Sequence, residues 1–308
     1  VSFAVQAEVS VPSIFGSRMV LQRGQANPVW GWAAPGEKIS VTFAGQKHTA
    51  TAGKDGAWRV KLQPLKANAK GQTLIIQGSN KLELTDVLVG EVWVCSGQSN
   101  MAWSVDRSYD PDLESLTAKF PNIRLISVPP VGTQEPQKDF NGEWVAASPE
   151  SVMSFSAVGF FFGRTLHQAI NVPVGLIDNA WGGSAAEAWV RRDLLNKLPA
   201  AAPYMATWKQ TEANYDHEKT MATYETRLKK WQTAAAAARK AGKPASQRPR
   251  NPRNPLTGQH RPANLYNGVL KPFIGYGIKG AIWYQGESNS GRAKAYRDVF
   301  PLMIQNWR

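Results

Sequence analysis

Short alternations of apolar and polar residues dominate the first part of the chain. Apolar residues alternate with polar ones over residues 39–43 and again over 58–62, which is the period of a strand with one buried face. Asp55-Gly56 lies between these runs and predicts a hairpin turn. The pattern indicates two more short strands before residue 85. We therefore expect residues 8–88 to form a β-sandwich accessory domain.

From residue 89 the pattern changes to continuous apolar runs separated by helical spacing. Runs typical of buried strands occur at Val92–Cys95, Ile123–Val128, Val174–Asn179 and Ile278–Tyr284. Apolar residues three or four positions apart predict a helix over 155–170. A further helix, kinked at Pro301, is predicted over 295–308. The strand–helix–strand order predicts an α/β domain over 89–308, with a doubly wound parallel sheet that has helices on its faces.

Residues 191–262 interrupt this order. Helices are predicted over Tyr204–Asn214 and from about residue 221 to Ala241, where Gly242 and Pro244 would end the second one. A loop rich in proline and arginine follows. We interpret this stretch as a helical and basic insertion into the α/β domain.

The charge of the chain is concentrated in that insertion. The net charge is +13, which by itself favours an acidic partner such as nucleic acid. Nine cations without an intervening acid lie between residues 227 and 253: Arg227, Lys229, Lys230, Arg239, Lys240, Lys243, Arg248, Arg250 and Arg253. Because the excess belongs to one solvated loop and helix end, we do not expect nucleic-acid binding. Binding of acidic polymers by the loop remains a secondary hypothesis.

The chain has one cysteine, Cys95, which excludes an intrachain disulfide and is expected to be a buried small hydrophobe. No run of 18 apolar residues is present, so no membrane association is expected. Val1–Ala7 ends in Ala-Val-Gln-Ala, a pattern typical of the residues before a signal-peptidase cut. We interpret it as a signal-peptide remnant, or else a disordered tail. The first interpretation predicts a periplasmic or secreted protein.

Three predicted strands end in turns of small and amide residues. The turns are Gly97-Gln98-Ser99-Asn100-Met101, Trp181-Gly182-Gly183-Ser184 and Gln285-Gly286-Glu287-Ser288-Asn289. The carboxyl ends of parallel strands share one edge of a sheet, which is where open α/β sheets bind ligands. A serine on a strand-to-helix turn can be exposed among backbone N–H groups, as a nucleophile requires. We therefore expect one composite site that contains Ser99.

These turns, in this order and spacing, resemble those of the sialate O-acetylesterase family, a branch of the SGNH (GDSL-like) hydrolases. The resemblance implies an SGNH-type fold. It also implies a carbohydrate O-acetylesterase that uses an acyl-enzyme and needs no cofactor or metal. Substrates expected from it are 9-O-acetyl sialic acid or acetylated plant polysaccharides such as xylan or xyloglucan.

The resemblance also implies roles for individual residues. Ser99 would be the nucleophile, with oxyanion donors at the N–H groups of Ser99 and Gly183 and at the amide of Gln285. Taken alone, a glutamine at a strand end is more often structural, and Glu287 either orients a base or supports the turns. Side chains that could contact a sugar, or else brace the turns or pack in the core, are Asn100, Trp103, Trp181, Trp283 and Asn289.

The expected base is missing from the sequence. The family places its histidine in an Asp-x-x-His-Pro segment near the C-terminus, and no such segment occurs here. Of the four histidines, His48, His167 and His217 lie in unsuitable elements, and His260 is the one local candidate. We therefore expect a C-terminal fragment or second chain to supply the base. The alternative hypothesis is a non-catalytic carbohydrate-binding protein on a hydrolase fold.

Overall fold

The computed structural model describes residues 8–308, so the expected signal-peptide remnant at 1–7 lies outside the described residues. Eleven strands are found in this part of the chain: β1 (Val20–Gln22), β2 (Asn27–Trp32), β3 (Lys38–Phe43), β4 (Gln46–Thr51), β5 (Ala57–Leu62), β6 (Asn68–Gln77), β7 (Lys81–Gly97), β8 (Phe120–Ser127), β9 (Val145–Ala147), β10 (Val174–Asp178) and β11 (Gly280–Tyr284). The α-helices are α1 (Pro111–Thr117), α2 (Ala157–Ile170), α3 (Arg192–Leu195), α4 (Ala202–Asn214), α5 (His217–Lys240) and α6 (Ala293–Trp307).

The longest strand, β7, connects the two halves of the fold. Its first residues pair antiparallel with β6, and its last residues pair parallel with β10 and β11. The sequence pattern predicted two separate strands here, with the domain boundary at residue 88 between them. The structure instead has 17 continuous strand residues. One strand therefore fixes the β-rich region relative to the α/β region.

Strands β1–β6 form the β-rich region. Strands β4, β3 and β6 join the large sheet through β7, whereas β2 and β5 pair in a separate two-stranded sheet. The hairpin predicted at Asp55-Gly56 is wrong, because the strands on either side of it pair with other partners. The tight hairpin joins β3 to β4 instead, through Ala44 and Gly45 with φ of 49° and 79°. Positive φ at both residues is the geometry that a two-residue hairpin requires.

The second half confirms the mixed α/β prediction. Strands β11, β7, β10 and β8 lie side by side and parallel, and the short β9 adds antiparallel at the edge. Trp93 and Cys95 of β7 face a hydrophobic cluster that includes residues of α2. Val92 and Val94 face the cluster that contains Val299 and Met303 of α6. Since successive strand residues point to opposite faces, the sheet carries helices on both sides.

Glycines allow α2 to lie close to the sheet. A Cβ atom at Gly159 would lie 2.9 Å from the sulfur of Cys95, and one at Gly163 would lie 2.5 Å from a methyl carbon of Leu176. The helix begins at Ser156, whose hydroxyl accepts a hydrogen bond from the N–H of Gly159 over 3.0 Å, a common N-cap arrangement.

The 191–262 stretch contains α3, α4 and α5, followed by residues 243–254 without helix or strand. Glu212 of α4 pairs with Arg192 and Arg261, at 2.7 and 2.8 Å. These ion pairs fix α4 to both ends of the stretch. Helix α5 buries only Ala235. Within residues 8–308 no helix is long and apolar enough to cross a membrane.

Candidate active site

The three turns meet at one edge of the sheet. Asp178, the last residue of β10, lies beside Cys95 of β7, and Tyr284, the last residue of β11, lies beside Gly97. Because β7 lies between two parallel neighbours that end within two residues of its own end, the three turns emerge at the same edge. The expectation that the turns come together is confirmed.

Backbone hydrogen bonds join the turns to one another. The N–H of Trp181 donates to the carbonyl of Gly97 over 3.0 Å, and the N–H of Gln98 donates to the carbonyl of Tyr284 over 2.9 Å. Gly97 has φ of 141°, and a Cβ atom there would lie 2.2 Å from the carbonyl oxygen of Tyr284. Only glycine therefore fits at the point where the first and third turns approach each other.

Gln98 links the first turn to the third, although the sequence analysis gave it no role. Its side chain is 3% exposed. Its Oε1 accepts hydrogen bonds from the N–H groups of Gly286 and Ser288, over 3.3 and 3.2 Å. The hydroxyl of Ser288 in turn donates to the carbonyl of Gly183 over 2.9 Å. The sequence signal that could have identified Gln98 was an amide residue directly before the candidate nucleophile.

Ser99 is exposed at the centre of this arrangement. A Cβ atom at Gly182 would lie 3.8 Å from the Cβ of Ser99, so the first and second turns are in contact. In the described part of the chain, the N–H groups of Ser99 and Gly183 donate no backbone hydrogen bond. Gly183 has φ of 75°. Free N–H groups around an exposed hydroxyl can stabilise an oxyanion that forms on it.

Gln285 is held by hydrogen bonds on its amide nitrogen. Nε2 donates to the carbonyl of Ser184 over 3.1 Å and to Oδ1 of Asn289 over 2.7 Å. Its Oε1 is buried without a hydrogen-bond partner among residues 8–308. Both amide hydrogens are therefore in use, and an oxyanion would receive one only if a bond to Ser184 or Asn289 opened.

Asn289 is buried, with 2% of its surface exposed. Its Oδ1 also accepts from the N–H of Ala186 over 2.9 Å, and its Nδ2 donates to Oε2 of Glu187 over 2.9 Å. Of the two roles considered for Asn289, its burial and these partners support the one that braces the turns. Glu187 is 1% exposed. Its Oε1 forms an ion pair with Nε of Arg292 over 3.4 Å.

Glu287 and Asn100 join the first and third turns on the exposed side. Nδ2 of Asn100 donates to Oε1 of Glu287 over 2.6 Å. Of the two roles considered for Glu287, this bond supports the one that holds the turns together. It leaves Oδ1 of Asn100 as the atom of that side chain that is able to receive a hydrogen bond from a ligand.

The three tryptophans near the turns differ in exposure. Trp103 is 49% exposed, and its indole N–H donates to the carbonyl of Arg107 over 2.7 Å. Trp181 is half-buried and packs against the main core. Trp283 is also half-buried, and it packs edge-on against Trp189 beside the same core. Trp103 therefore offers the most open aromatic surface of the three.

No histidine ring is hydrogen-bonded to Ser99 in the part of the chain that the structure describes. The rings of His48, His167 and His217 bond to residues of their own neighbourhoods, namely Gln46, Val172 and Tyr215. The backbone carbonyl of His260 accepts from the hydroxyl of Tyr204. Burial and the charge of Arg292 lower the pKa of the His260 ring.

Gln259 was not identified from the sequence, yet it lies against the second turn. Its Nε2 donates to the carbonyl of Gly182 over 3.3 Å, and its own carbonyl accepts from the N–H of Ala185 over 3.3 Å. The end of the 191–262 stretch thus borders the turns. Among residues 8–308 no group of three or more histidine, cysteine or acidic side chains is arranged to hold a metal ion.

Comparisons with known proteins agree with this architecture. A family model described as carbohydrate esterase, sialic acid-specific acetylesterase, matches residues 89–241. The sialate O-acetylesterase of Homo sapiens is 29% identical over 317 residues, which cover 96% of this chain and 52% of the human protein. That of Mus musculus is 28% identical and is covered to 55%. The chain therefore spans about half the length of the curated relatives it matches.

The solved structure of a carbohydrate acetylesterase from Xanthomonas citri is also similar, with a TM-score of 0.73 and 31% sequence identity. The similarity covers 98% of this chain and 57% of the Xanthomonas citri chain. The class of protein that this chain resembles is therefore the carbohydrate esterases. Residues 89–241 of the chain belong to the sialic acid-specific acetylesterase family that the family model describes.

Proposed function

We propose that this chain carries the nucleophile of a serine esterase that removes O-acetyl groups from carbohydrate. Ser99 Oγ attacks the acetyl carbonyl while a base takes its proton. The oxyanion accepts hydrogen bonds from the N–H groups of Ser99 and Gly183. Collapse of this intermediate expels the sugar oxygen, which takes the proton from the base, and leaves acetyl-Ser99. Water then attacks the acyl group while the same base removes its proton. The base returns this proton to Ser99 Oγ as the intermediate collapses, and acetic acid leaves and ionises to acetate.

One observation carries this proposal. Ser99 is exposed on the turn after β7, in contact with the second turn, and two backbone N–H groups beside it have no backbone acceptor among residues 8–308. Such donors, fixed before the reaction, stabilise developing charge without reorganisation. An exposed serine with free backbone donors beside it supports the proposal that Ser99 is the nucleophile.

A histidine from outside this chain completes the site in our proposal. We assign it to an Asp-x-x-His segment on a C-terminal fragment or a second polypeptide, and it would approach Ser99 from the open side of the turns. Two facts support this. None of the histidine hydrogen bonds found here involves Ser99, and the relatives are about twice as long as this chain.

The substrate class follows from the family. The turns handle the acetyl group and its oxyanion, whereas the sugar must be held by other surfaces such as Trp103 and the segment at Gln259. We propose 9-O-acetyl sialic acid or an acetylated plant polysaccharide as substrates. We further propose that the protein is exported, on the basis of the Ala-Val-Gln-Ala pattern at 4–7.

Acetate release tests the proposed function. The complete protein is incubated with 9-O-acetyl sialic acid and, separately, with acetylated xylan, and acetate is measured against the Ser99→Ala variant. We expect release from at least one substrate and none above background from the variant. Binding of either carbohydrate without acetate release would favour the alternative, a carbohydrate-binding protein on a hydrolase fold.

A further inference from the structure

Among the residues that the structure describes, 8–308, the nine cations between residues 227 and 253 have no ionic partners. Each of the eight salt bridges found within residues 8–308 involves other side chains. By contrast, two arginines at the ends of the 191–262 insertion, Arg192 and Arg261, both pair with Glu212. The charge between 227 and 253 is therefore available to a ligand.

Part of this charge lines a groove between α5 and the loop that follows it. The groove has a volume of about 560 Å³. Thr220, Thr223, Tyr224 and Arg227 line it from α5, at the three- and four-residue spacing that puts side chains on one helix face. Arg250 and two loop prolines form the opposite wall, and Lys219 lies at the helix end. Neither Glu218 nor Glu225, the acids of α5, is among the lining residues.

Contacts from Trp231 hold the loop in place beside the helix. The indole N–H of Trp231 donates to the carbonyl of Ser246 over 2.7 Å. The guanidinium of Arg248 lies over the same ring, 6.0 Å from its centre. The prolines at 249 and 252 restrict the backbone between them. The opposite wall of the groove is therefore supported by specific contacts to α5.

The chemistry of the lining points to one class of ligand. Arginine guanidinium groups pair with carboxylates through two parallel hydrogen bonds, and the half-buried ring of Tyr224 offers a flat surface for a sugar ring. The hydroxyls of Thr220 and Thr223 donate to the backbone carbonyls of Asp216 and Lys219, which leaves their oxygens free to accept from sugar hydroxyls. Within residues 8–308 the groove is lined by only three cations, Lys219, Arg227 and Arg250, whereas duplex DNA carries a charge about every 1.7 Å, so a ligand with few carboxylates fits this number of cations better.

We propose that this groove is a binding site for carboxylated carbohydrate, separate from the three active-site turns. The proposal rests on the proposed carbohydrate function and extends it to acidic glycans. Arg227 and Arg250 bind carboxylates of the sugar chain, and Tyr224 packs against a ring between them. Uronic acids and sialic acids share this chemistry, so either could be the natural source.

Binding without acetyl groups tests the site independently of catalysis. The complete protein is titrated with oligogalacturonate, oligosialic acid, neutral xylan oligomers and duplex DNA. The Arg227→Gln/Arg250→Gln variant is compared with Arg239→Gln/Lys240→Gln, which removes the same charge from the same insertion outside the groove. Melting temperature reports on folding, and hydrolysis of p-nitrophenyl acetate reports on the esterase separately.

For at least one carboxylated oligosaccharide, we expect the Kd of the groove variant to rise about tenfold or more, because charge-assisted hydrogen bonds are lost. The Kd of the control variant should change by less than about twofold. The better of the two carboxylated probes identifies the natural source. Equal weakening by both variants, or tightest binding to DNA, would overturn the proposal. If the unmutated protein does not hydrolyse p-nitrophenyl acetate, the proposed function is refuted instead, whatever the binding results.

Discussion

Nδ2 of Asn100 and Oε1 of Glu287 lie 2.6 Å apart, although 187 positions separate these residues along the chain. This hydrogen bond ties the turn that carries Ser99 to the turn after β11 on their exposed side. On the buried side Gln98 makes the equivalent connection. The orientation of Ser99 therefore depends on both links.

Glu287→Ala is expected to reduce kcat several-fold while the melting temperature changes little, because an exposed hydrogen bond contributes only about 1 kcal/mol to stability. Glu287→Gln keeps an acceptor oxygen for Asn100 and should retain most of the activity. Steady-state kinetics with p-nitrophenyl acetate distinguish the two variants. Equal activity of Glu287→Ala and the unmutated protein would show that the link does not position the serine.

We expect the Gln285 amide to give up its bond to Ser184 or Asn289 in the transition state and to donate to the oxyanion, so that Gln285→Ala lowers kcat by ~10²–10³ with little change in KM. Since the amide also bonds to Ser184 and Asn289, the melting temperature should fall as well. Asn289→Ala is the matched variant, because it removes the acceptor of the Gln285–Asn289 hydrogen bond and leaves the Gln285 amide in place. An effect of Gln285→Ala on KM alone would mean that the amide contacts the sugar instead.

Gly97→Ala should destabilise the fold by about 3 kcal/mol or more, as expected where a side chain meets backbone and φ is positive. The added Cβ would lie 2.2 Å from the carbonyl oxygen of Tyr284, which would separate β7 from β11. Gly291→Ala is the control, because a Cβ there meets no atom within 4 Å. Urea unfolding measures both, and similar midpoints for the two variants would contradict the close approach.

Asp178 gives the stability a pH dependence. Burial raises the pKa of its carboxyl from 3.8 to about 7, so the folded state holds a proton that the unfolded state releases. This group therefore costs stability progressively as pH rises from about 4 to about 7. Asp178→Asn keeps the oxygen that accepts from the N–H of Ala180 and has no such cost.

The melting temperature of Asp178→Asn, relative to the unmutated protein, should consequently increase between pH 4 and pH 7. Differential scanning fluorimetry at half-unit pH steps measures the difference. A difference that stays constant across this range would contradict the raised pKa.

The sequence predicted the parts of the fold that depend on local pattern. The apolar runs that became β10 and β11, and the turns after them, were predictable because a continuous apolar run followed by small turn residues leaves a local signal. The hairpin at Ala44-Gly45 was not, since alanine seldom has positive φ. The continuity of β7 was also missed. Apolar and polar residues alternate in its first part, whereas its second part is a continuous apolar run, so the sequence indicates two strands.

At the candidate site, the turn residues were predictable and their supports were not. Glu187 and Gln259 lie outside the turn sequences, and their contacts with Asn289 and Gly182 arise only when distant segments fold together. For the same reason, the sequence left the role of Asn289 open between sugar contact and support of the turns. A short motif does not show which of its polar side chains point inward.

The central claim is that Ser99 is the nucleophile, and covalent labelling tests it most directly. The complete protein is treated with a fluorophosphonate, and the modified peptide is located by mass spectrometry alongside p-nitrophenyl acetate kinetics. We predict one adduct, on Ser99, with loss of both labelling and hydrolysis in Ser99→Ala at an unchanged melting temperature. An adduct on another residue, or retention of more than about a tenth of kcat by folded Ser99→Ala, would contradict the account.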